Sequence, residues 1–284
     1  MLGHWEPASP QGEDTLLVED RFFGSFENAS RITVDSRGFI LVIDEAAHSV
    51  LVFDSPDHQP RVLGGYGWDQ TTFDRPTGVA TDVLNIYVAD FGNHRVNRFD
   101  RQLTFLSSLS TRDTTFEIAR FGYPRGVALS RQGDLFVLDG ENLKVVQFNG
   151  RSGFVRTFGG IESSEGRLRE PVEIEVSNDD KIRVLETDRV VEFDFAGNYV
   201  RSIGEGVIRN SKGMCLARNG FLVVSNDTLR WFHNDGSVRM TLAASEILGE
   251  FPASPLRDVV VWKDRLLLLT PVRVGVFQVE SAAR

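Results

Sequence analysis

The chain is poor in cysteine. A single thiol, Cys215, stands among 284 residues, so no disulfide framework can form and cysteine usage gives no compartment. No neighbouring base is visible in the sequence, and Cys215 reads as a small buried hydrophobe rather than a nucleophile. No apolar run is long enough to span a bilayer; Leu266–Leu269 is expected to be a buried strand between Arg265 and Thr270. Helical periodicity is missing, apart from one turn expected within Ala243–Leu248. The N-terminus shows no basic segment followed by an apolar core, so no secretory signal is visible; a soluble chain is expected, its compartment open, and an extracytoplasmic mature form fits equally. Positive charge is in deficit. The formal net charge is −9, which argues against the phosphate backbone of nucleic acid as partner and otherwise favours solubility. No Gly-x-Ser-x-Gly elbow, phosphate-binding glycine loop or zinc-knuckle spacing is present.

What the chain does have is repetition. Phe73-Asp74-Arg75-Pro76 and Phe121-Gly122-Tyr123-Pro124 each lead into a short apolar run, Gly78-Val79-Ala80 and Gly126-Val127-Ala128. A turn and a second strand follow, Asn85–Asp90 and Asp134–Asp139, then a third strand ending in an aromatic and a polar residue, Phe99-Asp100 and Phe148-Asn149. A period of roughly 40–50 residues built of four short strands is the mark of a propeller blade. Three markers run through the chain in phase. The openers are Phe26, Phe73, Phe121, Leu168, Ile208 and, more loosely, Pro255. The polar residues closing the second strand are Asp44, Asp90, Asp139, Glu186, Asn226 and Thr270. The third-strand aromatics are Phe53, Phe99, Phe148, Phe193, Phe232 and Phe277.

These markers predict an all-β chain: a six-bladed β-propeller of four-stranded antiparallel blades. Residues 1–13, rich in Pro, Gly and Ser, are expected to be a flexible tail, and 14–284 one propeller domain. The sixth unit stops one strand short after Val279, while Thr15–Val18, extended by Phe22-Phe23, offers a spare strand at the other end. That strand is expected to complete the sixth blade and close the ring, which removes two open edges. Continuous apolar runs such as Ile40–Ile43 and Phe221–Val224 fit inner strands covered on both sides. The more polar 153–160 and 198–204 fit outer edges.

The stretch Val88-Ala89-Asp90-Phe91-Gly92-Asn93-His94-Arg95-Val96-Asn97-Arg98-Phe99-Asp100 resembles the NHL repeat. The resemblance is strong in the second unit, good in the third and fair in the first, where Asp44 and His48 are kept. The later units keep the phase and lose the motif. In the turn, Gly92 and Asn93 are expected to supply the positive φ, and Asp90 to accept the turn amides and pair with Arg95. The resemblance implies a noncatalytic interaction or sensor scaffold. It also implies an alternative, a metal-dependent propeller lyase or lactone hydrolase with a channel-bound cation. Amidating lyases of this architecture use a histidine-bound zinc, whereas here no three of His4, His48, His58, His94 and His233 fall at channel positions. Lactonase-like relatives use channel carboxylates, for which Glu173 is the candidate. RNA-binding NHL propellers have basic faces, and this chain is acidic.

Propeller sites lie at the channel and on the loops entering the innermost strands. The starts of those strands carry Arg31, Thr77, Arg125, Glu173, Lys212 and Arg257. Two readings stand: a mostly basic mouth for an anionic group, or cations neutralised by Asp44, Asp90, Asp139 and Glu186 on the same face. Two readings also stand for Tyr66 and Trp68 in the Gly64–Trp68 loop, a partner-anchoring loop or one folded back on the rim. The expectation is a monomer with no catalytic residue, metal or cofactor, binding a protein, peptide or glycan partner, anionic in character, through Arg31, Arg125, Glu173, Lys212 and Arg257.

Overall fold

Strands of four to nine residues, rich in Val, Ile, Leu and Phe and separated by Gly, Asn and Asp turns, build the six sheets of the described chain. The computed structural model describes residues 15–281 except 248 and 253; the expected tail, 1–13, lies outside the described residues. β1 (Thr15–Phe23) comes first. The first blade is β2 (Ala29–Val34), β3 (Ile40–Asp44), β4 (Ser49–Phe53) and β5 (Arg61–Gly64). The second is β6 (Pro76–Thr81), β7 (Asn85–Asp90), β8 (Arg95–Asp100) and β9 (Phe105–Leu109). The third is β10 (Pro124–Leu129), β11 (Leu135–Asp139), β12 (Lys144–Phe148) and β13 (Phe154–Phe158). The fourth is β14 (Pro171–Val176), β15 (Ile182–Glu186), β16 (Val190–Phe193) and β17 (Tyr199–Ile203). The fifth is β18 (Ser211–Ala217), β19 (Gly220–Ser225), β20 (Thr228–His233) and β21 (Val238–Ala243). The sixth is β22 (Asp258–Trp262), β23 (Arg265–Leu269) and β24 (Val274–Ser281), with β1 as its outer strand.

Each blade has two apolar faces and cannot bury them alone. The second strands β3, β11 and β15 are buried at every residue, whereas the outer β5 and β9 are largely exposed or half-exposed. Six apolar clusters fill the seams between neighbouring blades, and two of the sequence markers meet in them. Phe26 and Phe53 share the seam of blades six and one, Phe73 and Phe99 that of one and two, Phe121 and Phe148 that of two and three. Leu168 with Phe193 and Ile208 with Phe232 repeat the arrangement. The three aromatic pairs stand edge to face with ring centres 6.3, 6.0 and 6.1 Å apart, the geometry ring quadrupoles favour. The opener and the third-strand aromatic are thus two halves of one wedge between blades.

β1 closes the ring as expected. It runs antiparallel to β24 from Thr15↔Ser281 to Phe23↔Val274. Leu17 is fully buried in the seam of blades five and six, and Phe23 joins the seam of six and one. Two marker positions shift. Ser211 pairs with Ser225, so Ser225 closes the second strand of blade five, and Asn226 lies in the two-residue turn that follows. In blade six, Asp258 pairs with Leu269 where Gly213 pairs with Val224, and the wedge partner of Phe277 is not Pro255 but Phe251, edge to face with ring centres 5.5 Å apart. The turn expected in Ala243–Leu248 is a three-residue 3-10 turn, Ala244–Glu246.

Deleting residues 1–23 exposes β24 and unseals both seams of blade six. The melting temperature is expected to fall by roughly 10 °C or more, since each kcal/mol is worth about 2–4 °C at this size. Thermal denaturation followed by circular dichroism checks this, and an unchanged melting temperature would refute the closure's importance.

Candidate functional site

Five of the six innermost strands carry a bulge after their first residue, at Ala29/Arg31, Pro76/Gly78, Pro124/Gly126, Pro171/Glu173 and Ser211/Gly213. The bulge fixes which residues share a level. Pairing with the second strands puts Arg31, Gly78, Gly126, Glu173, Gly213 and Asp258 on one level, opposite Ile43, Ala89, Leu138, Leu185, Val224 and Leu269. Ser30, Thr77, Arg125, Val172, Lys212 and Arg257 lie one residue earlier in the chain. The set read from the sequence therefore mixes two levels: Arg31 and Glu173 belong to the inner one, Thr77, Arg125, Lys212 and Arg257 to the outer one.

The inner level is a closed network. Arg31 Nη1 donates to the carbonyls of Ser30 at 2.9 Å and Lys212 at 3.0 Å. Its Nη2 donates to the carbonyl of Val172 at 2.8 Å, and its Nε lies 3.8 Å from Glu173 Oε1. One guanidinium thus ties blades one, four and five across the channel. Glu173 Oε2 accepts the Met214 amide at 2.7 Å, and Asp258 Oδ2 accepts the Ile32 amide at 2.9 Å; these link blades four to five and six to one. Thr77 Oγ1 donates to the Pro124 carbonyl at 2.8 Å between blades two and three. The glycines supply room. A Cβ on Gly78 would stand 2.7 Å from the Cα of Gly126, and one on Gly213 would overlap Asp258. The cavity left beside Arg31, Glu173 and Glu175 holds about 20 Å³ measured to water centres, space for one or two waters.

Burial raises the carboxyl pKa values here. Glu173 is pushed up by burial, against the pull of Arg31 and the Met214 amide. Asp258 is pushed well up, by burial first and the Glu173 charge second. Glu175, one alternation further along β14, is raised to about 8 by burial and by Glu173. Burial works against the charge of Arg31, but Glu173, Asp258 and Glu45 outweigh it and its pKa is raised. Burial, then Glu175, raises the Cys215 thiol well above its usual range, so it is no ready nucleophile.

Of the two readings of the mouth cations, pairing with Asp44, Asp90, Asp139 and Glu186 is the one that the contacts do not support. Those carboxylates do lie on the upper face, the one carrying the loops that lead into the first strands, but they serve their own turns. Asp44 accepts the amides of Glu27 at 2.7 Å and Asn28 at 2.9 Å. Asp139 accepts Gly122, Glu141 and Asn142. Glu186 accepts the amides of Arg169 and Glu170 and the Arg189 guanidinium. Asp90 accepts the Asp74 amide at 2.8 Å, Asn93 Nδ2 at 2.8 Å and Arg95 Nε at 2.9 Å, as its motif position suggests. The positive φ of these turns falls on His48, His94 and Leu143, at 52°, 54° and 50°, not on Gly92 or Asn93. Gly92 is needed for space, because a Cβ there would overlap the Asp74 carboxylate. His48 and His94 tolerate the left-handed region better than a branched residue would.

The motif's second task was not legible in the sequence. Arg95 Nη1 donates to the carbonyl of Trp68 at 3.0 Å, and its Nη2 to those of Asp69 at 2.7 Å and Thr72 at 3.0 Å. Asn93 Nδ2 donates to the carbonyl of Gly67 at 2.9 Å. Asp90, Asn93 and Arg95 therefore clamp the loop between blades one and two. On it Tyr66 and Trp68 stay 60% and 70% exposed, with Tyr66 edge-on to Trp68 at 5.5 Å and to His48 at 5.0 Å. Arg125 is exposed and turned over the Phe91 ring at 5.8 Å. Lys212 and Arg257 are half-buried. Asp258, Glu175, Arg75, Phe91 and Tyr123 were missed. Counting two residues on from Ala29, Pro76, Pro124, Pro171 and Ser211 would have put Glu173 opposite Arg31 and glycine at the other three places.

Six four-stranded blades around a narrow channel define a β-propeller. Streptogramin B lyase superposes with a TM-score of 0.66 over 94% of this chain and 98% of its own, at 10% identity. Virginiamycin B lyase from Staphylococcus aureus does so with 0.63 over 93% and 99%, also at 10%. At such identity the likeness shows the fold alone. The NHL repeat pattern matches residues 73–99 and 121–148, in the second and third blades. Over 150 residues, 50% of this chain, the sequence is 33% identical to Protein brain tumor of Drosophila melanogaster. That match covers 14% of the relative's length, so the chain corresponds to a minor part of it. The chain is a six-bladed β-propeller whose second and third blades match the NHL repeat. Among the described residues no helix is long and apolar enough to cross a membrane.

Two measurements check the channel. Arg31→Met leaves Glu173 and Asp258 buried without their cation and is expected to cost about 3–5 kcal/mol in urea denaturation, with partial recovery on adding Glu173→Gln. Glu175 titrates ordinarily at 4.5 and in the fold at about 8, so the folded state keeps a proton that the unfolded chain releases. Its contribution to stability therefore declines as pH rises through that window and is level above it. Glu175→Gln should gain on wild type between pH 5 and 8 in melting temperature; a difference independent of pH would contradict the assignment.

Proposed function

We propose that this propeller is a noncatalytic scaffold that binds a protein partner through its upper face. The observation that carries this reading is the state of the channel, where a catalytic propeller would house its chemistry. Arg31 spans it, three blades supply the carbonyls that hold the guanidinium, and the cavity beside it has room for one or two waters. The carboxylates Glu173 and Asp258 are committed to amides of neighbouring blades. The upper face, by contrast, displays Tyr66, Trp68 and Arg125 to solvent, residue types that anchor partners at interfaces. Lys212 and Arg257 add positive charge closer to the mouth.

The alternative, a lyase or lactone hydrolase with a channel cation, would draw its ligands from Glu173, Glu175 and Asp258. A guanidinium fixed in their midst opposes a second cation, and among the described residues no group of three His, Cys, Asp or Glu is placed to hold a metal ion. Metal analysis of protein purified without chelator decides between them. The expected result is less than stoichiometric zinc and calcium and no change in melting temperature on adding EDTA. One tightly bound metal per chain, lost in Glu173→Gln, would overturn the scaffold reading.

A further inference from the structure

We infer that the upper face of blades one to three, from Trp68 to Arg125, is a docking strip for an acidic peptide segment of a partner protein. The inference rests on the scaffold reading above and names its contact surface and the partner's chemistry. The strip is continuous. Trp68 meets Tyr66, Tyr66 meets His48, and His48 Nδ1 accepts the Arg75 amide at 2.9 Å. The Arg75 guanidinium lies over the Phe91 ring at 4.8 Å. Phe91 stacks on Tyr123 at 4.8 Å, and Arg125 lies over the same Phe91 ring. Three blades thus present one run of aromatic surface carrying two cations.

Three features point to a ligand. First, both guanidiniums are held by a ring rather than by acceptors. Arg75 approaches Asp74 only at 4.0 Å through Nε, its side chain is 56% exposed, and among the described residues the terminal nitrogens of Arg75 and Arg125 have no carboxylate or carbonyl partner. Stacked guanidiniums with free edges are preset to take carboxylates in a bidentate fork. Second, the aromatic end is preorganised. Four side-chain hydrogen bonds from Asn93 and Arg95 fix the backbone of the loop that presents Tyr66 and Trp68, so little loop entropy is lost on binding. Third, Arg75 holds a left-handed backbone, φ 54°, which a long side chain adopts at a cost, with its guanidinium over the Phe91 ring.

The charge pattern selects the partner. Asp69, Asp74 and Glu141 flank the strip, and the chain carries −9 overall. Two isolated cations among carboxylates match separate Asp or Glu side chains on a peptide with an aromatic or aliphatic anchor. They match poorly a polyanion whose phosphates follow one another at every nucleotide.

The test pans a random dodecapeptide phage library on the wild-type chain, with counter-selection on the Arg75→Glu/Arg125→Glu variant. Enriched peptides are then made with fluorescein and titrated by anisotropy, beside a fluorescein-labelled twelve-uridine RNA. The expected result is enrichment of Asp and Glu near an aromatic or leucine, with binding weakened roughly tenfold or more by Arg75→Glu/Arg125→Glu and by Trp68→Ala, and weakened by added salt. All substituted side chains are exposed, so melting temperatures should match wild type and exclude misfolding. No enrichment, or enriched peptides that bind the variants as well as wild type, would overturn the inference. Binding of the uridine RNA that the same substitutions abolish, without acidic enrichment, would overturn it in favour of single-stranded RNA. Failure here with a metal-free channel removes the strip alone; stoichiometric channel metal removes the scaffold reading itself.

Discussion

Everything in this molecule depends on the seam between blades. A four-stranded sheet of this composition has two apolar faces and no layer of its own to cover them, so it is stable only between two others. The chain meets that constraint with a wedge used in every unit: an apolar side chain from the loop entering the blade and an aromatic from its third strand, both set against the preceding blade. Phe73 with Phe99 and Phe121 with Phe148 are the aromatic form of the wedge, Leu168 with Phe193 the mixed form. A row of such seams has two open ends, and only a ring has none. The β1–β24 pairing is therefore the step that turns six marginal sheets into one closed core.

Closure in turn sets the middle of the ring. Six innermost strands meet around an axis with little room between them, and the chain answers with glycine at Gly78, Gly126 and Gly213. The remaining places on that level hold Arg31, Glu173 and Asp258. Polar groups so deep must be paired, or their desolvation is not offset. Arg31 uses carbonyls that no neighbouring strand takes, and the two carboxylates use amides of the same kind. The channel chemistry is best understood as the inner hydrogen-bonding edge of the blades completed by side chains. The outer, upper face is then free to vary without disturbing the ring.

The fold was legible because its markers are the wedge residues themselves, and a buried aromatic in a seam has few substitutes. Ring closure was legible because a missing fourth strand and a spare first strand are both visible as hydrophobic patterns. The site was less so. A bulge adds one residue without any composition of its own and so hides where each level lies, and Arg31 and Glu173 stand one residue further along their strands than Arg125, Lys212 and Arg257. The expectation that Asp90 serves its turn and Arg95 was right, whereas the tasks of Arg95 and Asn93 toward the loop at Gly67–Thr72 rest on carbonyl positions that side-chain patterns do not encode. Gly92 shows the same limit from the other side: its role is space for Asp74, and the left-handed backbone belongs to His94.

The pairing of Thr15 with Ser281 also has a consequence in time. A ribosome delivers β1 ahead of every strand of the first five blades, yet its partner β24 is the last strand to emerge. Until then Leu17 and the β1 edge have no native cover. The growing chain must carry an unpaired, partly apolar strand through the synthesis of the whole ring, and the step that seals the core is also its most distant contact in sequence. Such a chain gains from a β1 that is slow to pair elsewhere, and Glu19, Asp20 and Arg21 in the middle of the strand provide it: charges on a waiting edge discourage the wrong partner before the right one exists.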